Sequence, residues 1–129
     1  MIKKTDVLGW HNYTGNMEAL RADIRRVKQW GREHRKPVMI NEIARRNTDQ
    51  HFWRFMPVLA DERIGWYFWE LMLGSTQFSR GANPIQGVVY PDGTCRDVRE
   101  VAAILHPAGT KRPAKEVSEA AGFAERPGP

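Results

Sequence analysis

The chain has 129 residues, 41% of them hydrophobic and 27% charged, with a formal net charge of +5. That is the length and balance of one ordinary domain, and no apolar run reaches the roughly 18 residues that a membrane span needs. A single cysteine, Cys95, rules out an intrachain disulfide framework and a thiolate metal cluster.

The N-terminus, Met1-Ile2-Lys3-Lys4, is basic but has no apolar signal core behind it. The compartment is therefore open: a secreted or periplasmic location would need a signal peptide upstream of Met1. Residues 6–13 read as a strand on which Val7, Gly9, His11 and Tyr13 share one face and Leu8 and Trp10 the other. Thr14-Gly15-Asn16 is a turn with Asn16 placed as an N-cap. Met17, Leu20, Ile24, Val27 and Gly31 then recur at helical spacing, and this helix should stop before Pro37.

Val38 to Glu42 is the second strand. Its nearly continuous apolar run suits a strand covered on both faces. Strict alternation puts Val38, Ile40 and Glu42 on one face. Asn47-Thr48-Asp49 is placed to cap a second helix with apolar positions Phe52, Phe55, Met56 and Leu59, which Pro57 should kink or restart. Ile64 to Trp69 is the third strand, with Trp66 and Phe68 toward the helices. Leu71 to Val89 is a long connection, and connections of that length inside a compact domain are usually functional. Pro91-Asp92-Gly93 is a turn, Thr94 with Asp97 resembles a capping arrangement, and Val98, Val101, Ile104 and Leu105 stripe a third helix. Residues 107–129 are rich in Pro, Ala, Gly, Lys and Glu and read as a disordered tail.

The order is βα repeated, which specifies an α/β fold with parallel strands. Two of the strands stop abruptly at carboxylates, Glu42 and Glu70, as strands of a (β/α)8 barrel do at the end where catalytic residues sit. Glu42 is the candidate catalytic residue, because an ionised carboxylate there can attack an anomeric carbon or stabilise an oxocarbenium ion. The competing reading is a carboxylate paired with Arg45 or Arg46. His11 and Tyr13 can hydrogen-bond a sugar hydroxyl or orient a carboxylate, or they can simply pack. Trp69 offers a flat apolar face to sugar C–H groups. Glu70 can bind sugar hydroxyls, act as a second carboxylate, or face solvent. No two of the four histidines show metal-ligand spacing.

His11-Asn12-Tyr13, Lys36-Pro37-Val38 running to Glu42, Gly65-Trp66-Tyr67-Phe68-Trp69, Gly74-Ser75-Thr76-Gln77 and Tyr90-Pro91-Asp92-Gly93-Thr94, in that order, resemble a clan A glycoside hydrolase of the cellulase-type family 5. The resemblance covers about residues 6–105. It implies that residues 1–106 are the C-terminal part, strands six to eight with their helices, of a (β/α)8 TIM barrel. It implies a retaining glycosidase acting on a β-linked oligo- or polysaccharide without a cofactor. Glu42 would be the nucleophile, with Tyr13 or a neighbour hydrogen-bonded to it. His11, Tyr13, Trp69, Glu70, Thr76 and Gln77 would bind substrate, and a cis peptide after Trp69 would turn Glu70 toward the cleft.

The family's acid/base glutamate follows an asparagine at the end of strand four, which would precede Met1. Asn41-Glu42 looks like that pair, but one helix, one Trp-ending strand and one closing helix follow it, as after strand seven. Without the acid, residues 1–129 are expected to have little or no hydrolase activity, since proton transfer typically contributes ~10²–10⁴-fold. Two rival readings stand. One is a non-catalytic barrel remnant or glycan-binding fragment. The other is a small basic nucleic-acid-binding domain carried by Arg21, Arg25, Arg26, Lys28, Arg32, Arg35 and Lys36. Glu18, Asp23 and Glu33 are interleaved there and no aromatics alternate with the basic residues, which favours a solvated helix face. The oligomeric state is not legible.

Overall fold

A computed structural model of the chain describes residues 4–81 and 83–127; the basic start Met1-Ile2-Lys3, Ala82, and the last two residues, Gly128 and Pro129, lie outside them. The described residues hold three strands and four α-helices: β1 (Leu8–His11), α1 (Met17–His34), β2 (Val38–Glu42), α2 (Phe52–Asp61), β3 (Gly65–Trp66), α3 (Val98–Leu105) and α4 (Ala114–Ala120). The strands pair in the order β1-β2-β3, all parallel. The fold is thus α/β, with helices packed on one face of a small parallel sheet. No helix of the described residues is long and apolar enough to cross a membrane.

Helix α1 forms as its spacing dictates. The Asn16 side chain accepts from the Glu18 and Ala19 N–H groups at 2.9 and 3.0 Å, satisfying donors that the first turn leaves free. Leu20, Ile24, Val27 and Gly31 are its buried residues, and the three larger ones contribute about 1.5–3 kcal/mol each by leaving water. Gly31 is required by close approach, because a Cβ there would stand 2.6 Å from Val38 Cγ1 and 2.8 Å from the Lys36 carbonyl oxygen. The chain then reverses through Arg35 in the left-handed region, φ 53°.

The sheet departs from simple alternation at one place. Trp10 pairs with Ile40 but His11 pairs with Glu42, so Asn41 is an extra residue in β2. A bulge of one residue exchanges the faces of everything beyond it. Ile40 is fully buried against Leu20, Ile24 and the α2 side chains, on the helix side rather than on a face shared with Glu42. Beyond the bulge Glu42 joins His11 on the opposite face. That face carries Val7, 44% exposed, and the exposed Gly9, Asn41 and Gly65. It has no covering layer among the described residues, which is unusual for parallel strands.

β3 is shorter than the expected strand from Ile64 to Trp69. After the Tyr67 N–H reaches the Ile40 carbonyl at 2.7 Å, the bulged end of β2 turns its pairing to β1, and the Asn12 N–H bonds the Glu42 carbonyl at 3.0 Å. Trp66 and Phe68 pack into the core as read, Phe68 meeting Phe52 edge-on at 5.0 Å.

Helix α2 differs from expectation at both of its signals. Arg46–Thr48 form a separate 3₁₀ turn and α2 begins at Phe52 after His51, without a side-chain cap. The helix also continues through Pro57 as one element, losing only the bond that Pro57, lacking an N–H, cannot make. For α3 the cap is Asp97, whose carboxylate accepts from the Arg99 N–H at 2.9 Å, while Thr94 bonds back to Asp92.

The segment after Pro107, expected to be disordered, carries α4. Val117 and Ser118 are buried there and Phe123 packs on the core. The chain beyond α4 pairs with Cys95: the Cys95 N–H donates to the Ala124 carbonyl at 2.8 Å and the Arg126 N–H to the Cys95 carbonyl at 2.9 Å. Burial pushes the Cys95 thiol above its ordinary pKa, consistent with a packed rather than a reactive cysteine.

One buried ion pair joins distant stretches. The Arg46 Nε donates to Glu100 Oε1 at 3.1 Å, and its Nη2 reaches both Glu100 Oε2 and the Gly87 carbonyl. Glu100 is 1% exposed. Arg46→Met should cost about 3–5 kcal/mol, because it strands the Glu100 carboxylate in the core; urea unfolding of the variant measures this. The Asp92 side chain is held at a pKa of about 2 by hydrogen bonds from the Thr94 hydroxyl and N–H and by Arg126. A depressed folded-state value stabilises the docked C-terminal segment fully above the ordinary value of 3.8, and that contribution is lost as pH falls through about 2. Amide exchange at Arg126 should therefore accelerate relative to the core in strong acid, and Asp92→Asn should show the faster exchange already at neutral pH.

Candidate active-site cleft

The ends of β1 and β2 are tied together by one buried amide. The Gln50 Oε1 accepts from the Ala44 and Arg45 N–H groups at 2.7 and 3.2 Å. Its Nε2 donates to the Asn12 and Thr14 carbonyls at 3.0 Å each. Gln50 is completely buried, and both ends of its amide are satisfied, as a buried polar group requires. Asn12 is held in turn, donating from Nδ2 to Asp23 at 2.9 Å. His11, Tyr13, Glu42 and Arg45 thus leave the sheet from a braced frame.

The other wall is the connection from Leu71 to Val89. Its ends are clipped by Leu73 N–H to the Val89 carbonyl at 2.7 Å and Val88 N–H to the Leu71 carbonyl at 2.8 Å. Gly87 lies at φ +90° with Leu73 Cγ only 2.8 Å from where a Cβ would stand, a place only glycine fits. The Arg46 N–H bonds the Ile85 carbonyl at 2.9 Å, so the loop is fastened to the segment just beyond Glu42.

Between these walls lies a cleft of about 760 Å³, within the usual size of small-molecule sites. Five of the seven residues singled out from the sequence line it: Tyr13, Glu42, Trp69, Thr76 and Gln77. His11 stands behind Glu42, its Nδ1 3.3 Å from Glu42 Oε2, and its ring meets Tyr13 edge-on at 6.4 Å. The neighbour that holds Glu42 is therefore His11. Neither arginine beside it pairs with Glu42: Arg46 is committed to Glu100, and the Arg45 guanidinium stands 5.6 Å from the Tyr13 ring centroid. Trp69 is 49% exposed, with an aromatic face available to a ligand.

Glu70 is placed differently. It does not line the cleft. The Trp69–Glu70 peptide is cis, and the Glu70 carboxylate accepts the Ser75 and Thr76 hydroxyls. Burial alone would raise its pKa, but hydrogen bonds from Ser75, Thr76 and Ser79 and the Arg80 charge outweigh this and hold it below the ordinary carboxylate value. Glu70 braces the loop that presents Thr76 and Gln77.

Sequence reasoning missed Phe78, Arg80 and Gln86, which also line the cleft, and Gln50 beneath it. All of these except Gln50 sit in the long irregular connection, where no periodicity marks orientation. Among the described residues no three His, Cys, Asp or Glu side chains cluster to hold a metal ion. The basic face of α1 is largely drawn into ion pairs: Arg21 with Asp61 at 3.0 Å, Arg25 with Glu62 at 3.5 Å and Arg26 with Asp23 at 2.7 Å. No protein-family model, curated protein or solved structure matches the chain.

Gln50→Met should remove at once the bonds from the Ala44 and Arg45 N–H groups and those to the Asn12 and Thr14 carbonyls, leaving these backbone groups buried or half-buried without partners. At about 1–3 kcal/mol for each stranded group that cannot relax to water, a loss of roughly 3 kcal/mol in urea unfolding is expected. The His11 and Glu42 resonances should broaden as the frame loosens.

Proposed function

We propose that the chain is the nucleophile-bearing part of a retaining β-glycosidase, the C-terminal strands of a (β/α)8 barrel of the cellulase-type family 5. The observation that carries this reading is the Glu42 carboxylate, backed by His11 at 3.3 Å, in a cleft it shares with Tyr13, Trp69, Thr76 and Gln77. These residues come from the ends of parallel strands and from the loop that follows β3, which is where barrel enzymes assemble their sites.

The residues suit distinct tasks. Trp69 stacks on the apolar face of a sugar ring, and Thr76, Gln77 and Tyr13 supply hydroxyl and amide groups for its hydroxyls. The His11 contact to Oε2 orients Glu42 and leaves Oε1 for the substrate. Glu42 attacks the anomeric carbon as the glycosidic C–O bond breaks, giving a glycosyl ester and a leaving oxygen that must take a proton. Water then cleaves the ester, with the proton donor acting in reverse as base. That donor is a second carboxylic acid, and in this reading it belongs to strands N-terminal to β1. Among the described residues β1 and β3 are the edge strands of the sheet, and such strands would pair there to complete the barrel.

A second reading, glycan binding without cleavage, is favoured by one observation: Glu42 is the one carboxylate lining the cleft among the described residues. E42Q separates the two. In a protein that carries the acid as well, it should lower kcat by at least about 10³-fold, as expected when the group that forms the covalent intermediate is lost, while oligosaccharide affinity changes by less than about threefold. Unchanged turnover of a β-glycoside by E42Q would rule out the nucleophile assignment.

A further inference from the structure

The cleft carries more positive charge than a neutral sugar calls for. Arg45 and Arg80 both line it, against the single carboxylate of Glu42. Among the described residues neither arginine forms an ion pair. The Arg80 guanidinium is partly occupied, Nε donating to the Gly74 carbonyl at 2.9 Å and Nη2 to the Ser75 carbonyl at 3.2 Å, and its charge helps hold Glu70 ionised. Arg45 is not so occupied. It lies beside the Tyr13 ring, on the frame that Gln50 braces through the Arg45 N–H.

A second observation points to a ligand. Gln86 is 4% exposed, lines the same cleft, and its Oε1 has no hydrogen-bond partner. A buried amide oxygen without a partner costs free energy, and Gln86 belongs to the wall that a ligand in the cleft would touch. The two arginines lining the cleft favour an anion, and the planar fork of a guanidinium matches a carboxylate.

We infer that this cleft selects an acidic glycan, a β-linked chain carrying a uronic acid carboxylate, with Arg45 as the main carboxylate partner, Arg80 as a second cation and Gln86 as a polar residue of the same wall. This deepens the glycosidase reading and rests on it for the sugar-binding role of Trp69. The two positive groups also offset the repulsion that Glu42 would exert on a carboxylate-bearing substrate.

The test uses the full 129-residue chain and a matched pair of probes: a β-1,4-linked glucose tetramer and the same tetramer built of glucuronate. Affinities are read by NMR titration at low and moderate salt. The glucuronate tetramer should bind about tenfold more tightly, the size of one charge-assisted hydrogen bond. R45Q should remove most of that preference with little change toward the neutral tetramer, W69A should weaken both, and R32Q, on the far end of α1, should change neither. Equal binding of the two tetramers overturns the acidic preference and leaves the glycan-binding reading standing. A preference that R45Q leaves intact, or that R32Q erodes as much as R45Q does, also overturns it, since the attraction is then diffuse. Failure of both tetramers to bind overturns the glycan reading together with the preference.

Discussion

The buried pair between Arg46 and Glu100 is the constraint on which the rest of the arrangement depends. It joins three stretches far apart in the chain: the segment leaving β2, the end of the long connection at Gly87, and α3. In net free energy such a pair is worth little over an apolar replacement, because desolvating both charges offsets most of their attraction. Its effect here is positional. A guanidinium has donors in fixed directions; two of its hydrogen bonds go to Glu100 on α3 and one to the Gly87 carbonyl, which sets where the loop meets the strand. Gln86 is the neighbour of Gly87 in the chain, so the same contact sets the cleft wall against Glu42.

Two carboxylates near the strand ends illustrate how environment assigns roles. The Glu70 oxygens are taken by the hydroxyls of Ser75 and Thr76, which spends its acceptor capacity inside the loop. Among the described residues the Glu42 carboxylate meets one ionisable partner, His11 on one oxygen, and its side chain is 26% exposed. A nucleophile needs a free lone pair facing its substrate; a brace needs none. The same residue type therefore serves as scaffold in one place and as a candidate reactive group in the other.

The sheet is built for more contact than it makes. Its helix side buries Ile40 and packs the partly buried Trp10 and Trp66 against the core that α1 and α2 help to form. Its other side presents two glycines, Gly9 and Gly65, with the exposed Asn41 between their strands. Parallel sheets ordinarily have both faces covered, and glycines on an inner face admit a close neighbour. A one-sided parallel sheet with small residues on its open face and a cleft at its C-terminal end is compatible with a piece of a larger α/β fold, and the proposed function rests on that cleft.

Much of this was legible in the residues. The period of Leu20, Ile24 and Val27 determined α1, the Asn16 cap determined its start, and the apolar run up to Glu42 determined β2, because each is a local pattern with a local physical cause. Tyr13, Glu42, Trp69, Thr76 and Gln77, singled out in the sequence, line one cleft. What tertiary structure alone decided is where periodicity breaks or is absent. The extra residue Asn41 moved Glu42 off the face of Ile40, since one inserted residue reverses a period of two. Asp97 rather than Thr94 capped α3, because Thr94 was claimed by Asp92. The final segment gained a helix because Val117 and Phe123 found a core that other elements supply. Gln86 and Arg80 reached the cleft through an irregular loop held by the distant Arg46, and a contact between residues so far apart in sequence leaves no local mark on either.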